Sequence, residues 1–301
     1  MRHIISFLFA STALALPAMA EVPRVVTDIP PVHALVSLVM GDLGQPVLLL
    51  DKGASEHDFQ LRPSQAGQIA DAGLIVWVGP DLTPWLTRAL GSLGDTAPTL
   101  ALLRNPETDT EAYGNHDDDD SDDADGAAAR SGIDPHAWLD PENAEDWVQV
   151  IADRLARLDP ANAATYAANA RAAEQAIEAL DDEVERILAP ARATPLIMAH
   201  DAYGYFADHY DLTLAGAVAG GDASAPGAGR IAELQGRVAQ GACLFPEAQH
   251  DPAQLALLAE ATGARLGGAL DPIGSTLSAG PEAYATLMRG MAQTIAACAA
   301  R

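Results

Sequence analysis

The sequence has few basic residues, only two cysteines and no long apolar run beyond its first twenty residues. Lys and Arg together number 17 against 42 Asp and Glu, which gives a net charge of −25. Nucleic-acid phosphates and anionic membrane surfaces would repel such a chain, so the charge argues against both as partners and is compatible with a cationic ligand. Its 301 residues, 49% of them apolar, can bury a sizeable core in one large domain or two ordinary ones.

The first twenty residues form a targeting segment. Arg2 and His3 are a short basic start, residues 4–16 are apolar, and Ala18-Met19-Ala20 is a small-residue cleavage site. No later stretch reaches about 18 apolar residues, the length of a membrane-spanning helix. We therefore expect a signal peptide at 1–20 and a soluble periplasmic protein. No cysteine lies near the cleavage site, so no lipid anchor is expected.

Cys243 and Cys298 are the only cysteines. In an oxidising compartment an even pair predicts a disulfide, whereas a metal-ligand role is the alternative. The loop between them is long, so the chain-entropy account gives a stabilisation of about 4 kcal/mol.

Short apolar runs alternate with helical patterns in both halves of the chain. Strands are predicted at 24–28, 47–50, 74–79 and 98–102, and again at 196–199, 212–218, 242–245 and 265–270. Helices are predicted at 63–72, 82–90, 142–158, 203–210, 230–240, 252–262 and 281–299. This alternation predicts an α/β protein of two pseudo-symmetric βα lobes, at 21–158 and 190–301, with mainly parallel sheets.

A long helix at 160–188 is predicted to link the lobes, within a segment bounded by 159 and 189. Asp159 is a plausible N-cap, Pro160 suits the first helical position, and Pro190 and Pro195 end the pattern. One face is apolar; it carries Ala173, Ile177, Leu180, Val184 and Ile187.

Four polar residues lie where an open α/β sheet places ligand-binding groups. His57 and His136 are in polar turns, whereas His200 and Asp271 directly follow apolar strands. Three imidazoles and a carboxylate form a donor set that suits Zn²⁺. Because these residues are widely separated in sequence, we expect the metal to lie in the cleft between the two lobes.

The segments around these residues resemble motifs of the zinc solute-binding proteins of bacterial ABC importers. The three histidine segments are Glu56-His57-Asp58-Phe59 followed by Pro63-Ser64, Asp134-Pro135-His136-Ala137-Trp138-Leu139-Asp140-Pro141, and His200-Asp201-Ala202-Tyr203-Gly204-Tyr205-Phe206. Asp271-Pro272-Ile273-Gly274 is similar to the fourth motif. The resemblance runs in the same order over essentially the whole chain after residue 20.

The resemblance implies a periplasmic receptor that binds Zn²⁺ as transported cargo and delivers it to an ABC permease. It also implies a long helix that limits hinge opening and a C-terminal cysteine pair, and we expect the protein to be a monomer. A periplasmic zinc metallochaperone is a candidate donor of the metal.

Two other functions stay open at this stage. A manganese receptor on the same fold is the first, although its relatives tend to carry a carboxylate where His200 stands and the imidazole favours zinc. A zinc-dependent hydrolase is the second, but the sequence contains no HExxH motif and no obvious general base. We therefore expect no enzyme activity.

Further residues are candidates for auxiliary roles. The acidic loop 115–126 is expected to attract cations weakly through His116, Asp117, Asp118, Asp119, Asp120, Asp122, Asp123 and Asp125. Glu56, Asp140 and Asp222 are expected to contact the primary ligands and orient them. Glu247 is a further candidate for this role. Asp222 lies in a glycine-rich stretch, 219–229, that lacks the spacing of a phosphate-binding loop. His33, His209 and His250 are not expected to be primary ligands.

Overall fold

The computed structural model describes residues 21–57, 59–93, 97–113, 132–219 and 241–300, together with 232, 234–236 and 238. The segment 1–20, the acidic loop from 115 to 126, Asp222 and most of the helix predicted at 230–240 lie outside these residues, so the expectations for them stay predictions. Among the residues described, no helix is both long enough and apolar enough to cross a bilayer.

The N-terminal lobe is a four-stranded parallel sheet with helices around it. Its strands are β1 (Val25–Thr27), β2 (Val47–Leu48), β3 (Leu74–Trp77) and β4 (Thr99–Ala101), in the order β2-β1-β3-β4. Its helices are α1 (Pro30–Met40), α2 (Pro63–Ala70), α3 (Pro84–Leu93) and α4 (Pro141–Leu158). Both β1 and β3 are buried along their whole length, as expected for central strands of a sheet covered on both faces.

The long linking helix is α5 (Ala163–Leu188), preceded by a 3₁₀ turn at Pro160–Asn162. At 26 residues it spans about 40 Å. Its buried face consists of Tyr166, Ala170, Ala173, Ile177, Leu180, Val184 and Leu188. Ile187 is only partly buried, and Leu188 ends this face instead. Asp159 does not cap the backbone; its carboxylate accepts hydrogen bonds from the Asn162 amide and the Tyr166 hydroxyl.

The C-terminal lobe repeats the arrangement of the first. Its strands are β5 (Leu196–His200), β6 (Leu214–Ala219), β7 (Cys243–Phe245) and β8 (Arg265–Leu266), all parallel and in the order β6-β5-β7-β8. Its helices include α6 (Gly204–His209), α7 (Ala253–Thr262) and α8 (Ala283–Ala299). The same strand order in both sheets confirms the two pseudo-symmetric α/β lobes.

Helix α5 contacts both lobes, because it packs against α1 and α4 on one side and α8 on the other. Helix α8 also packs against α1, and one apolar core runs through both lobes. The predicted disulfide is present between Cys243 of β7 and Cys298 of α8, with 6.2 Å between the Cα atoms. The disulfide attaches α8 to the C-terminal sheet. Because α8 also packs on α5, the bond holds this contact with the linking helix in place.

His209 joins three parts of the molecule through its two ring nitrogens. Nδ1 lies 3.2 Å from Asp140 at the start of α4, and Nε2 lies 3.0 Å from Asp181 of α5. Burial opposes the charge of this imidazole, but the hydrogen bonds and charges of the two carboxylates outweigh it and raise the pKa of His209 to about 10. His209 is therefore a protonated link between the C-terminal lobe, the N-terminal lobe and the linking helix.

We expect the stabilisation from His209 to depend on pH. A raised folded-state pKa means that the contribution is complete below the unfolded value, about 6.5, and is lost as the pH rises through about 10. His209→Gln should lower the free energy of unfolding by about 1–3 kcal/mol at pH 6, because hydrogen bonds to a charged group are lost. Urea unfolding of both proteins across this range should show the difference shrinking as the pH rises; a constant difference would contradict the charged link.

Candidate metal centre

Three histidines lie at the carboxyl-terminal edges of the two sheets. His57 is in the loop between β2 and α2, and His136 precedes a 3₁₀ turn at Ala137–Leu139 that leads into α4. His200 is the last residue of β5. Loops at this edge of parallel sheets form the binding crevice of open α/β folds. The N-terminal lobe thus supplies two imidazoles and the C-terminal lobe supplies one.

The three imidazole rings converge on one point. Their centroids are separated by 5.7 Å between His57 and His136, 6.1 Å between His57 and His200, and 5.5 Å between His136 and His200. Glu56 joins them, and one ligand atom from each of the four residues lies within 4.8 Å of the others. This group can hold a single metal ion.

The group is buried. His136 has no exposed surface, Glu56 and His200 are 4% and 6% exposed, and His57 is partly exposed. The Trp85 indole donates a hydrogen bond to the backbone carbonyl of Glu56 at 2.7 Å, which fixes the middle of the loop beside His57. A buried set of imidazole and carboxylate donors, supplied by two lobes, is the arrangement of a closed metal site.

Carboxylates hold two of the histidines in the orientation that a metal requires. Nδ1 of His136 lies 2.6 Å from Asp134, and Nδ1 of His200 lies 2.7 Å from Glu247. Both carboxylates are buried. With Nδ1 on a carboxylate, Nε2 is the nitrogen through which each ring could bind a metal, and the negative charge would strengthen it as a ligand. The buried Nε2 of His136 has no hydrogen-bond partner among the described residues.

The pKa of Glu247 is lowered despite the burial of its carboxylate. Burial alone would raise its pKa, but the charge and hydrogen bond of His200, with further help from Tyr203 and His250, lower it overall. The Tyr203 hydroxyl donates to the same oxygen that contacts His200, at 2.8 Å. Burial and the adjacent Glu247 raise the pKa of Tyr203 well above its usual value, so its hydroxyl remains a donor.

The lobes are tied together beside the site. The buried indole of Trp138 donates to the carbonyl of Pro272 at 2.8 Å, and the Tyr284 hydroxyl donates to the carbonyl of Trp138 at 3.0 Å. Tyr205 donates to the carbonyl of Asp134 at 2.9 Å. The Trp138 ring centroid lies 5.3 Å from that of His136. These bonds fix the segment that carries His136 relative to the C-terminal lobe.

Asp271, expected as the fourth ligand, is not part of this group. One of its carboxylate oxygens accepts from the Gln249 amide and the Ser275 backbone, and the other accepts from the backbone and hydroxyl of Thr276. The strand predicted at 265–270 ends at Leu266 as β8, so Asp271 does not directly follow it, and its carboxylate organises its own turn.

Glu247, one of the expected supporting carboxylates, contacts His200, whereas the partner of His136 differs from the expected one. Asp140 caps α4 by accepting from Glu142 N–H and contacts His209, whereas the carboxylate that contacts His136 is Asp134. The Asp-Pro-His spacing was the available signal, since a carboxylate two residues before a histidine can reach its ring. Asp222 and the acidic loop lie outside the described residues.

Comparison with known proteins identifies the family. Residues 25–298 match the sequence profile of the periplasmic component A of zinc-uptake complexes. The chain belongs to this family. It is similar to the high-affinity zinc uptake system protein ZnuA of Paracoccus denitrificans, with 47% identity over 94% of each chain, and to that of Brucella abortus (strain 2308), with 33% identity over 99% of each. A crystal structure of ZnuA superposes with a TM-score of 0.75 at 22% identity, covering 92% of this chain and 99% of that one.

We expect Asp134→Asn to weaken metal binding although Asp134 does not itself join the ligand group. The substitution removes the charge behind His136, and loss of such a partner typically lowers affinity by about 10–100-fold. Chelator competition with Zn²⁺ as the probe measures this directly. Asp140→Asn is the matched control, because it removes a nearby carboxylate charge that faces His209 instead. Equal losses in the two variants would mean that general charge, and not the contact with His136, governs affinity.

Proposed function

We propose that this chain is a periplasmic zinc receptor that delivers Zn²⁺ to an ABC-type permease. The observation that carries the proposal is the convergence of His57, His136 and His200, from two lobes, with Glu56 on one buried point. Imidazole-rich sites suit Zn²⁺, and a site enclosed between lobes suits a cargo that must be held and then released. Membership of the zinc-uptake family supports the same function.

The proposed partner is the membrane subunit of the importer. The relatives at 47% and 33% identity are named as zinc uptake proteins, and the family is described as periplasmic. A periplasmic metallochaperone as zinc donor and a monomeric state are further parts of the proposal.

Donor chemistry favours zinc over the manganese alternative. Manganese prefers carboxylate, carbonyl and water oxygens, whereas three of the four clustered residues here are imidazoles. Cobalt substitution provides a test, because a tetrahedral site gives an intense visible spectrum and an octahedral one does not. Metal analysis of protein purified without added metal should find zinc.

The hydrolase alternative requires an open coordination position for water and a base beside it. Here the carboxylates closest to the histidines, Asp134 and Glu247, face Nδ1 of the imidazoles. They therefore act on the ligands, and the remaining carboxylate, Glu56, lies within the ligand group as a candidate fourth ligand. This arrangement favours a binding protein.

We expect His200→Ala to weaken zinc binding by more than about 100-fold, because an incomplete ligand set must recruit water and Glu247 loses its partner. Isothermal titration, with a chelator to buffer free zinc, measures the change. His209→Gln is the matched histidine control, since His209 bridges the lobes without joining the site, and it should bind zinc as the wild type does. Unchanged affinity of His200→Ala would remove this residue from the ligand set.

Two carboxylates compete for the fourth ligand position. The resemblance of the sequence to its family favours Asp271, whereas geometry favours Glu56, which lies within the ligand group while Asp271 holds four hydrogen bonds elsewhere. We infer that Glu56 closes the coordination shell in this conformation.

Comparison of Glu56→Gln with Asp271→Asn distinguishes these carboxylates. Glu56→Gln should cost roughly tenfold or more in zinc affinity, because a charged ligand becomes a neutral amide, and Asp271→Asn should cost less. Chelator competition ranks the two variants, and circular dichroism checks that both fold. The reverse ranking would assign the position to Asp271.

A further inference from the structure

His250 is the one imidazole near the site, among the described residues, that presents much of its surface to solvent. Its side chain is 47% exposed, whereas those of His57 and His200 are 9% and 8% exposed and that of His136 is fully buried. It lies in the turn between β7 and α7, three residues after Glu247. Its ring centroid is 6.3 Å from that of His200, close to the separations within the ligand group.

The spacing between His250 and Glu247 is that of two ligands on one ion. Nε2 of His250 lies 3.6 Å from Oε2 of Glu247, too far for a good hydrogen bond. In a tetrahedral zinc site with bonds of about 2.1 Å, neighbouring ligand atoms are about 3.4 Å apart. A small side-chain adjustment would therefore allow one Zn²⁺ to bind both atoms, with water in its remaining positions.

Glu247 also connects this pair to the buried site. Its other oxygen, Oε1, lies 2.7 Å from Nδ1 of His200. Its two oxygens thus contact a buried imidazole and a solvent-facing one. An ion held by Oε2 and His250 would be adjacent to the buried ligands before it had lost all of its water.

We propose that Glu247 and His250 form an outer zinc-binding pair that the ion occupies transiently as it enters and leaves the buried site. This inference rests on the proposed zinc-receptor function. With two protein ligands, the outer pair binds zinc weakly and exchanges it rapidly. An ion at the outer pair would lie next to an ion in the buried site, and two adjacent divalent ions repel each other. The outer pair is therefore occupied chiefly when the buried site is vacant. The pair therefore changes the rates of loading and release more than the final affinity.

The test is the kinetics of zinc binding by the full chain after removal of bound metal. Trp138 provides an intrinsic fluorescence signal, since its ring lies 5.3 Å from His136. His250→Phe keeps a ring and removes both nitrogens, and His250→Ala removes the ring as well. We expect both variants to take up Zn²⁺, and to lose it to excess chelator, about tenfold more slowly than the wild type. Their equilibrium dissociation constants should stay within about twofold, because both rates change together.

Three controls separate coordination from charge and packing. Asp251→Asn removes an exposed charge from the same turn and should leave both rates unchanged. The tenfold difference should persist at 1 M salt, where exposed charges are screened beyond about 3 Å, because coordination does not depend on long-range attraction. His250→Glu restores a ligand atom and should recover most of the uptake rate, which a packing role would not allow.

Wild-type rates in His250→Phe would overturn the outer pair while leaving the receptor function intact. A tenfold loss of affinity with an unchanged uptake rate would also overturn it, because His250 would then act by positioning Glu247 behind His200. Failure of the wild-type protein to bind zinc tightly would instead refute the proposed function itself.

Discussion

The Trp138 indole fixes the distance between the two halves of the metal site. His136 is two residues from Trp138, and the Trp138 N–H bonds to Pro272 of the opposite lobe. A metal site divided between lobes needs its ligand atoms held to within a fraction of an ångström. The buried indole achieves this because breaking its hydrogen bond would leave a donor and an acceptor unsatisfied. Tyr205 and Tyr284 add bonds across the same boundary.

Each lobe also contains a carboxylate that orients one histidine of the site. Asp134 is two residues from His136, whereas Glu247 reaches His200 from the neighbouring strand, since β7 pairs with β5. Together with Glu56, these place three buried carboxylates around three imidazoles. Like charges in a site of low dielectric repel one another, and a divalent cation relieves that repulsion. The same charges that orient the ligands therefore favour a cation over a neutral or anionic ligand.

Periodicity and local motifs were sufficient to predict the lobes, the linking helix and the clustering of three histidines. Buried strands such as β3 and the regular apolar face of α5 are properties of single segments, so the sequence displays them. The partner of His136 was not predicted, because it depends on which side chains tertiary packing brings together. Asp140 lies only four residues after His136 and could have been its partner, yet its carboxylate contacts His209. The contrast between Glu56 and Asp271 has the same origin. Hydrogen bonds within its own turn engage the Asp271 carboxylate, whereas the fold brings the Glu56 carboxylate to the histidines.

The contacts that join the two lobes bear on how a bound ion is released. Helix α5 packs on both lobes, His209 bridges them, and the disulfide fastens α8 to the C-terminal sheet, so wide opening would break buried contacts of several kinds at once. Release by small movements is easier if the ion can exchange ligands one at a time, because no intermediate then loses its whole coordination shell. Such stepwise exchange requires a ligand at the mouth of the site that is exposed yet adjacent to a buried one. His250 is exposed, and the buried Glu247 connects it to His200, so the proposed outer pair meets that requirement.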